Sequence, residues 1–137
     1  VKGSSPRDAV EYGYKTTISG IMEKYIPGDY EFDVPKKLID LYNRKDYGMY
    51  ADKNNTVPVN FTATNHTTGG NSGSPVLDAE GNLIGVNFDR VWEGTMSDVV
   101  YDPEICRNIS IDIRYALFII DKLAGANHLL NEMEILK

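Results

Sequence analysis

The chain has 137 residues but only one cysteine, Cys106, and only two histidines, His66 and His128. A lone cysteine excludes an internal disulfide. The histidines show no metal-ligand spacing and there is no Cys/His cluster, so neither a metal nor a cofactor is expected. No apolar stretch is long enough to span a bilayer, which excludes membrane insertion by a helix. No basic run appears, and the formal net charge is -6, which argues against a nucleic acid or an anionic membrane as partner. An initiator Met and a signal peptide are both missing ahead of Val1, as expected of a piece of a longer protein. No internal repeat, low-complexity tract or second domain is visible. What is present suffices for one domain with a modest core, with an ordinary hydrophobic share of 42%.

The most informative stretch is Thr67-Thr68-Gly69-Gly70-Asn71-Ser72-Gly73-Ser74-Pro75. Glycines before and after Ser72 relax the backbone. A Gly-Asn-Ser-Gly turn can then present a hydroxyl outward and turn successive N–H groups inward. Acyl transfer by a serine needs that arrangement, a nucleophile beside donors aimed at a developing oxyanion. A glycine-rich connection between two strands would leave the same pattern.

Around this loop the chain reads as follows. Ser5-Pro6-Arg7-Asp8 is a turn or a capped helical start. Tyr12 to Tyr25 is ambiguous, and its β-formers from Tyr14 to Met22 favour an extended segment. Pro27-Gly28-Asp29 is a turn. Pro35 to Asp46 has Leu38, Ile39, Leu41 and Tyr42 at helical spacing, with Asp33 to cap the helix and Gly48 to end it. Val57, Val59, Phe61 and Ala63 alternate with polar residues and Pro58, which predicts a strand buried on one face. Pro75–Leu77 and Asn82–Phe88 predict a hairpin closed by Asp78-Ala79-Glu80-Gly81. Strand, loop and hairpin leave no room for a crossover helix, which fits an antiparallel barrel and not the elbow of an α/β-hydrolase. Asp89 to Pro103 is a loop. Ile109 to Ala124 reads as a helix starting near Ser110 or Asp112 and stopped by Gly125, and Asn127 to Met133 as a last short helix.

Three stretches together resemble the bacterial dipeptidyl-peptidases of serine peptidase family forty-six: Thr68 to Leu77, Gly81 to Arg90, and Tyr101-Asp102-Pro103-Glu104-Ile105-Cys106-Arg107. Asp112-Ile113-Arg114-Tyr115, Ser5 to Val10 and Tyr50 to Asn54 have counterparts there too, so the likeness covers nearly the whole chain. The resemblance implies a chain that is mainly β with helices, the second β-barrel of a chymotrypsin-like (trypsin-like) fold followed by C-terminal helices. Residues 1–137 would be the C-terminal part of the catalytic domain. The first barrel, an inserted helical domain and the catalytic His and Asp would lie elsewhere in the parent. That parent is expected to release dipeptides from peptides with a free N-terminus, to form a homodimer, and to reside in the periplasm or on the surface of a Gram-negative bacterium.

The same resemblance assigns residues. Ser72 becomes the nucleophile, and the N–H groups of Gly70 and Ser72 the oxyanion donors. Asp89 becomes the partner of the substrate's α-ammonium group, which fixes the distance to the scissile bond. The residue after it separates the family's branches. Gly there leaves room for apolar P1 side chains, as in dipeptidyl-peptidase 7, and Arg resembles dipeptidyl-peptidase 11, which prefers Asp or Glu. Here it is Arg90, whose guanidinium can take a carboxylate in a two-pronged pair. Asn87 by its backbone and Phe88 by its ring are expected to line the S1 wall. His66 departs from the pattern, in which an Asp usually leads into the Thr-Gly-Gly stretch. It either adds positive charge for an acidic P1 side chain or is simply hydrogen-bonded near a strand end. Trp92 and Tyr101 are expected in core or rim packing, and Cys106 as a buried structural residue. A non-enzymatic β-barrel that binds peptides, or a segment of a trypsin-like endopeptidase, are the alternatives. The Asp89-Arg90 pair speaks against the endopeptidase, which has no use for an ammonium clamp.

Overall fold

The computed structural model describes residues 13–136. The expected turn or helical start at Ser5–Asp8 lies outside them. Five strands form one antiparallel sheet: β1 (Lys15–Thr17), β2 (Pro58–Ala63), β3 (Pro75–Leu77), β4 (Leu83–Arg90) and β5 (Asn108–Asp112). Their spatial order is β1-β2-β5-β4-β3. Among the described residues four α-helices accompany them: α1 (Ile18–Glu23), α2 (Lys36–Arg44), α3 (Ile113–Phe118) and α4 (Asn127–Leu130). The chain is thus a mixed α/β piece built on one antiparallel sheet, with more helix than the mainly β expectation allowed.

The core lies where the helices meet the β1–β2 side of the sheet. Ile18, Leu38, Leu41, Val57, Val59, Leu117 and Phe118 are buried together there. Phe118 is fully enclosed, with the edges of Tyr47 and Tyr50 against it at ring-centre distances of 6.3 Å. Edge-to-face contact suits the positive rim and negative face of such rings. The Tyr50 hydroxyl donates to Asp121 Oδ2 at 3.1 Å. That bond ties the turn of residues 48–50 to the C-terminal helices.

Several elements differ from the sequence reading, each for a physical reason. The extended segment expected over Tyr14–Met22 lasts only through Thr17. Helix α1 follows because helical spacing puts Ile18, Ile21 and Met22 against the core, and packing overrides their β-propensity. Helix α2 starts after Pro35 rather than at an Asp33 cap, since Asp33 Oδ1 accepts instead from the Val34 N–H at 2.9 Å. It ends at Lys45, whose φ of 52° is left-handed, before Gly48 is reached. Strand β2 is not buried on one face as expected: its start is buried on both sides and the rest is half-buried. Val57 and Val59 are buried, but Pro58 is buried as well and Phe61 only half so.

The largest difference is at residues 108–112, read in part as helix and found as β5, which pairs with both β2 and β4. This strand turns its polar residues inward: Asn108, Ser110 and Asp112 are buried, while Ile109 and Ile111 are half-buried. Helix α3 begins just after it. Asp112, one of the two starts expected, caps α3 by accepting from the Arg114 N–H at 3.0 Å. The helix widens into a π-helical segment at Ile119–Leu123, and Gly125, with φ of 68°, stops it as expected.

Candidate active site

The expected hairpin is present. Its turn is held by Asp78 Oδ1, which accepts from the N–H groups of Glu80 and Asn82, and Gly81 supplies a φ of 87°. The glycine loop precedes β3 and is locked to β4. The Gly73 N–H donates to the Asn87 carbonyl at 2.7 Å, and the Asn87 N–H to the Ser74 carbonyl at 2.9 Å. Gly70 and Gly73 adopt φ of 96° and 86°, values a side chain would oppose. The loop also closes on itself, for Asn71 Oδ1 accepts from the Thr68 N–H at 2.8 Å.

Ser72 is exposed at the loop's crest, and its hydroxyl donates to the Phe88 carbonyl at 3.4 Å. The N–H groups of Asn71, Gly73 and Ser74 bond carbonyls within the chain; those of Gly70 and Ser72 bond no acceptor among the described residues. Two donors beside an exposed hydroxyl are the arrangement an oxyanion requires.

Beneath the loop runs a buried polar seam. Asn87 Nδ2 donates to the Asn71 carbonyl at 3.1 Å, and Asn108 Nδ2 donates to both Asn87 Oδ1 and Ser110 Oγ at 3.1 Å. Asn108 Oδ1 is buried with no partner among the described residues. The Asn87 side chain therefore belongs to this seam and joins it to the loop at the Asn71 carbonyl. Asn71, Asn108 and Ser110 were not singled out from sequence. An Asn-x-Ser-x-Asp alternation was the available signal, hidden because inward faces are expected to be apolar.

Strand β4 carries a bulge at Phe88, since Asn87 pairs with Ser110 but Asp89 with Ile109. Residues directly opposite across an antiparallel pair share a face. Arg90 opposes Asn108, so it stands on the face of Asn87 and Asn108, toward the glycine loop. Without the bulge it would look the other way. Phe88 is exposed, and the exposed Asp89 accepts from the Arg90 N–H at 2.8 Å.

The Arg90 guanidinium is engaged. Nη1 donates to Asp98 Oδ1 at 2.7 Å and to Ser97 Oγ at 2.9 Å, and Nη2 donates to Asp98 Oδ2 at 2.6 Å. This pairing raises the Arg90 pKa and holds the Asp98 carboxyl below the ordinary carboxylate range. Ser97 is also the anchor of the loop's approach. Its hydroxyl donates to the Thr67 carbonyl at 3.3 Å, and its carbonyl accepts from His66 Nε2 at 2.9 Å. His66 stacks at a tilt on Tyr101, ring centres 4.8 Å apart. Its Nε2 is therefore committed to a backbone carbonyl near the strand end, and neither His66 nor His128 bonds Ser72 among the described residues.

Cys106 is buried, accepting from the Asp102 N–H. Trp92 does not pack in a core: it is 81% exposed on a 3-10 turn spanning Trp92–Asp98. Ser97 and Asp98 lie on that turn and had no local sequence signal; only folding brings them to Arg90. Among the described residues, no three His, Cys, Asp or Glu side chains converge as a metal cage. No helix of the structure is long and apolar enough to cross a membrane.

An exposed serine in a glycine loop, with paired backbone donors and an arginine-bearing strand beside it, has the build of a hydrolase site. Residues 1–135 match the family model for Peptidase S46, and the chain belongs to that family. It is 70% identical over 135 residues to the Asp/Glu-specific dipeptidyl-peptidase of Flavobacterium psychrophilum, covering 98% of this chain and 19% of that protein. It is 66% identical to the protein of the same name from Capnocytophaga gingivalis, covering all of this chain and 19% of the relative. Porphyromonas endodontalis DPP11, solved in complex with the dipeptide Arg-Asp, superposes with a TM-score of 0.88 at 55% identity, over 97% of this chain and 19% of that one. The chain thus spans about a fifth of the length of the relatives it matches.

Proposed function

We propose that this chain is the C-terminal catalytic segment of a serine-type dipeptidyl-peptidase that prefers Asp or Glu at P1. The observation that carries the reading is the Phe88 bulge, which puts Arg90 on the face of the glycine loop. There its guanidinium takes a carboxylate in a two-pronged pair. Dipeptidyl-peptidases named as Asp/Glu-specific are among its relatives, and DPP11 of P. endodontalis binds a dipeptide ending in aspartate.

In this reading Ser72 Oγ attacks the carbonyl carbon of the substrate's second residue while a base accepts its proton. The Gly70 and Ser72 N–H groups receive the oxyanion. The downstream peptide departs as a free amine with that proton as the dipeptidyl ester forms on Ser72, and water then cleaves the ester to release the dipeptide. Asp89, exposed next to Arg90 but opposite Ile109 on the other face of β4, is assigned the substrate's α-ammonium group by the family resemblance alone. The base and its orienting carboxylate belong to the rest of the parent, whose first barrel pairs with this segment in a chymotrypsin-like double barrel. The apolar hollow lined by Met49, Phe61, Leu83, Ile84 and Ile135 suits such a docking face. The parent is a homodimer of the bacterial periplasm or cell surface.

The test is a panel of chromogenic dipeptidyl substrates varied at P1, given to the full-length enzyme and to its Arg90→Gly variant. Preference for Asp and Glu should pass to apolar P1 residues in the variant. Unchanged acidic selectivity would remove Arg90 from S1. The isolated chain should release no dipeptide.

A further inference from the structure

Arg90 already holds a carboxylate, and that carboxylate comes from this chain. Asp98 takes both inner N–H groups of the guanidinium at 2.6–2.7 Å. Ser97, the residue before it, adds its hydroxyl to Nη1, and the Ser97 carbonyl accepts from His66 Nε2. One aspartate side chain thus fills the two-pronged donor edge of the guanidinium. An acidic P1 side chain reaching Arg90 would need the same N–H donors. Two carboxylates cannot use the same pair of N–H donors, and their charges repel at such range.

We propose that Asp98 is the resident occupant of the acidic P1 subsite, competing with the substrate's aspartate or glutamate for Arg90 and so setting the affinity for acidic P1 residues. This rests on the reading of Arg90 as the S1 arginine. The carrier of Asp98 suits an exchangeable occupant. It sits at the end of the 3-10 turn, its own side chain is 45% exposed, and the next residue, Val99, is 89% exposed. Withdrawal therefore uncovers little apolar surface. An ion pair this exposed is individually weak, so a well-placed substrate carboxylate can displace it. Ser97 stays on Nη1 through its own bond and keeps the guanidinium aimed while the carboxylates exchange. A neutral P1 side chain has nothing to win from Arg90, so Asp98 stays paired and does not compete with it.

The experiment uses the full-length enzyme with Asp98→Asn, Arg90→Gly and the double variant, on substrates with Asp, Glu or Leu at P1. Asp98→Asn should lower KM for Asp and Glu by roughly fivefold or less, the scale of one exposed ion pair. The effect should fall on KM rather than kcat, and the Leu substrate should gain nothing. Asp98→Glu, which restores a carboxylate, should return KM toward the parent value. In the Arg90→Gly background, removing Asp98 should change nothing. An acidic-P1 KM that is unchanged or raised in Asp98→Asn, with melting temperature preserved, overturns the proposal. If that variant folds poorly, Asp98→Ser is read in the same way. Should Arg90→Gly keep Asp/Glu selectivity, the S1 reading fails. If Arg90→Gly loses that selectivity while Asp98→Asn leaves KM alone, only the competition fails.

Discussion

The Ser72 hydroxyl meets the carbonyl of Phe88, the residue whose bulge turns Arg90 toward the glycine loop. One irregularity in one strand therefore sets the face of the proposed specificity residue and touches the proposed nucleophile. Replacing Ser72 by Ala in the full-length enzyme should cut kcat/KM by at least about a thousandfold, as removal of a nucleophile does elsewhere. The exposed side chain makes a single weak bond, so the melting temperature should hardly move. A dipeptidyl-substrate assay beside a thermal melt reads both.

The polar seam supports the loop from below. Asn87→Ala removes the bond to the Asn71 carbonyl and strips a partner from buried Asn108. A buried polar group left unpaired costs about 1–3 kcal/mol. Urea unfolding should show a loss of that order, and turnover should fall further than the stability loss alone would cause, because the loop bearing Ser72 is no longer held.

Gly85 lies where the sheet has no spare room. A Cβ there would stand 2.7 Å from the Ile111 carbonyl oxygen and 2.8 Å from the Phe61 ring. Gly85→Ala should destabilise by about 1–3 kcal/mol through overpacking. Adding Phe61→Leu should recover only part of that, since the backbone contact remains. Denaturation midpoints of the single and double variants check this.

Tyr50 gives an alkaline signature. Burial, then its hydrogen bond and charge contact with Asp121, push its pKa from 10.0 up to about 12. The folded form thus holds the proton more tightly than the unfolded chain. Its stabilisation is complete below pH 10 and is lost as pH rises from there toward about 12. Burial also raises Tyr47 and Tyr115, so Tyr50→Phe should reduce the alkaline slope without abolishing it. Urea midpoints between pH 9 and 11.5 measure the slope.

Local chemistry was legible wherever it dictates local shape. The hairpin with its Asp78–Gly81 turn, helix α2, the stop at Gly125 and the strained glycines around Ser72 follow from neighbours in sequence. What escaped depends on distant partners. Strand β5 was hidden because its inward residues are polar, and their burial makes sense only with Asn87 opposite. The Phe88 bulge leaves no compositional mark. Asp98 reaches Arg90 only through the fold of the turn between them. Trp92, expected in packing, lies on that turn's outside.

The sheet's outermost strands are three residues each, and one of them opens on Pro75. A foreign strand laid alongside would find few groups to bond and, at that proline, no N–H at all. Among the described residues, growth by adding strand after strand at the sheet's border thus has almost no template, even though the glycine-rich loop adjoins that border.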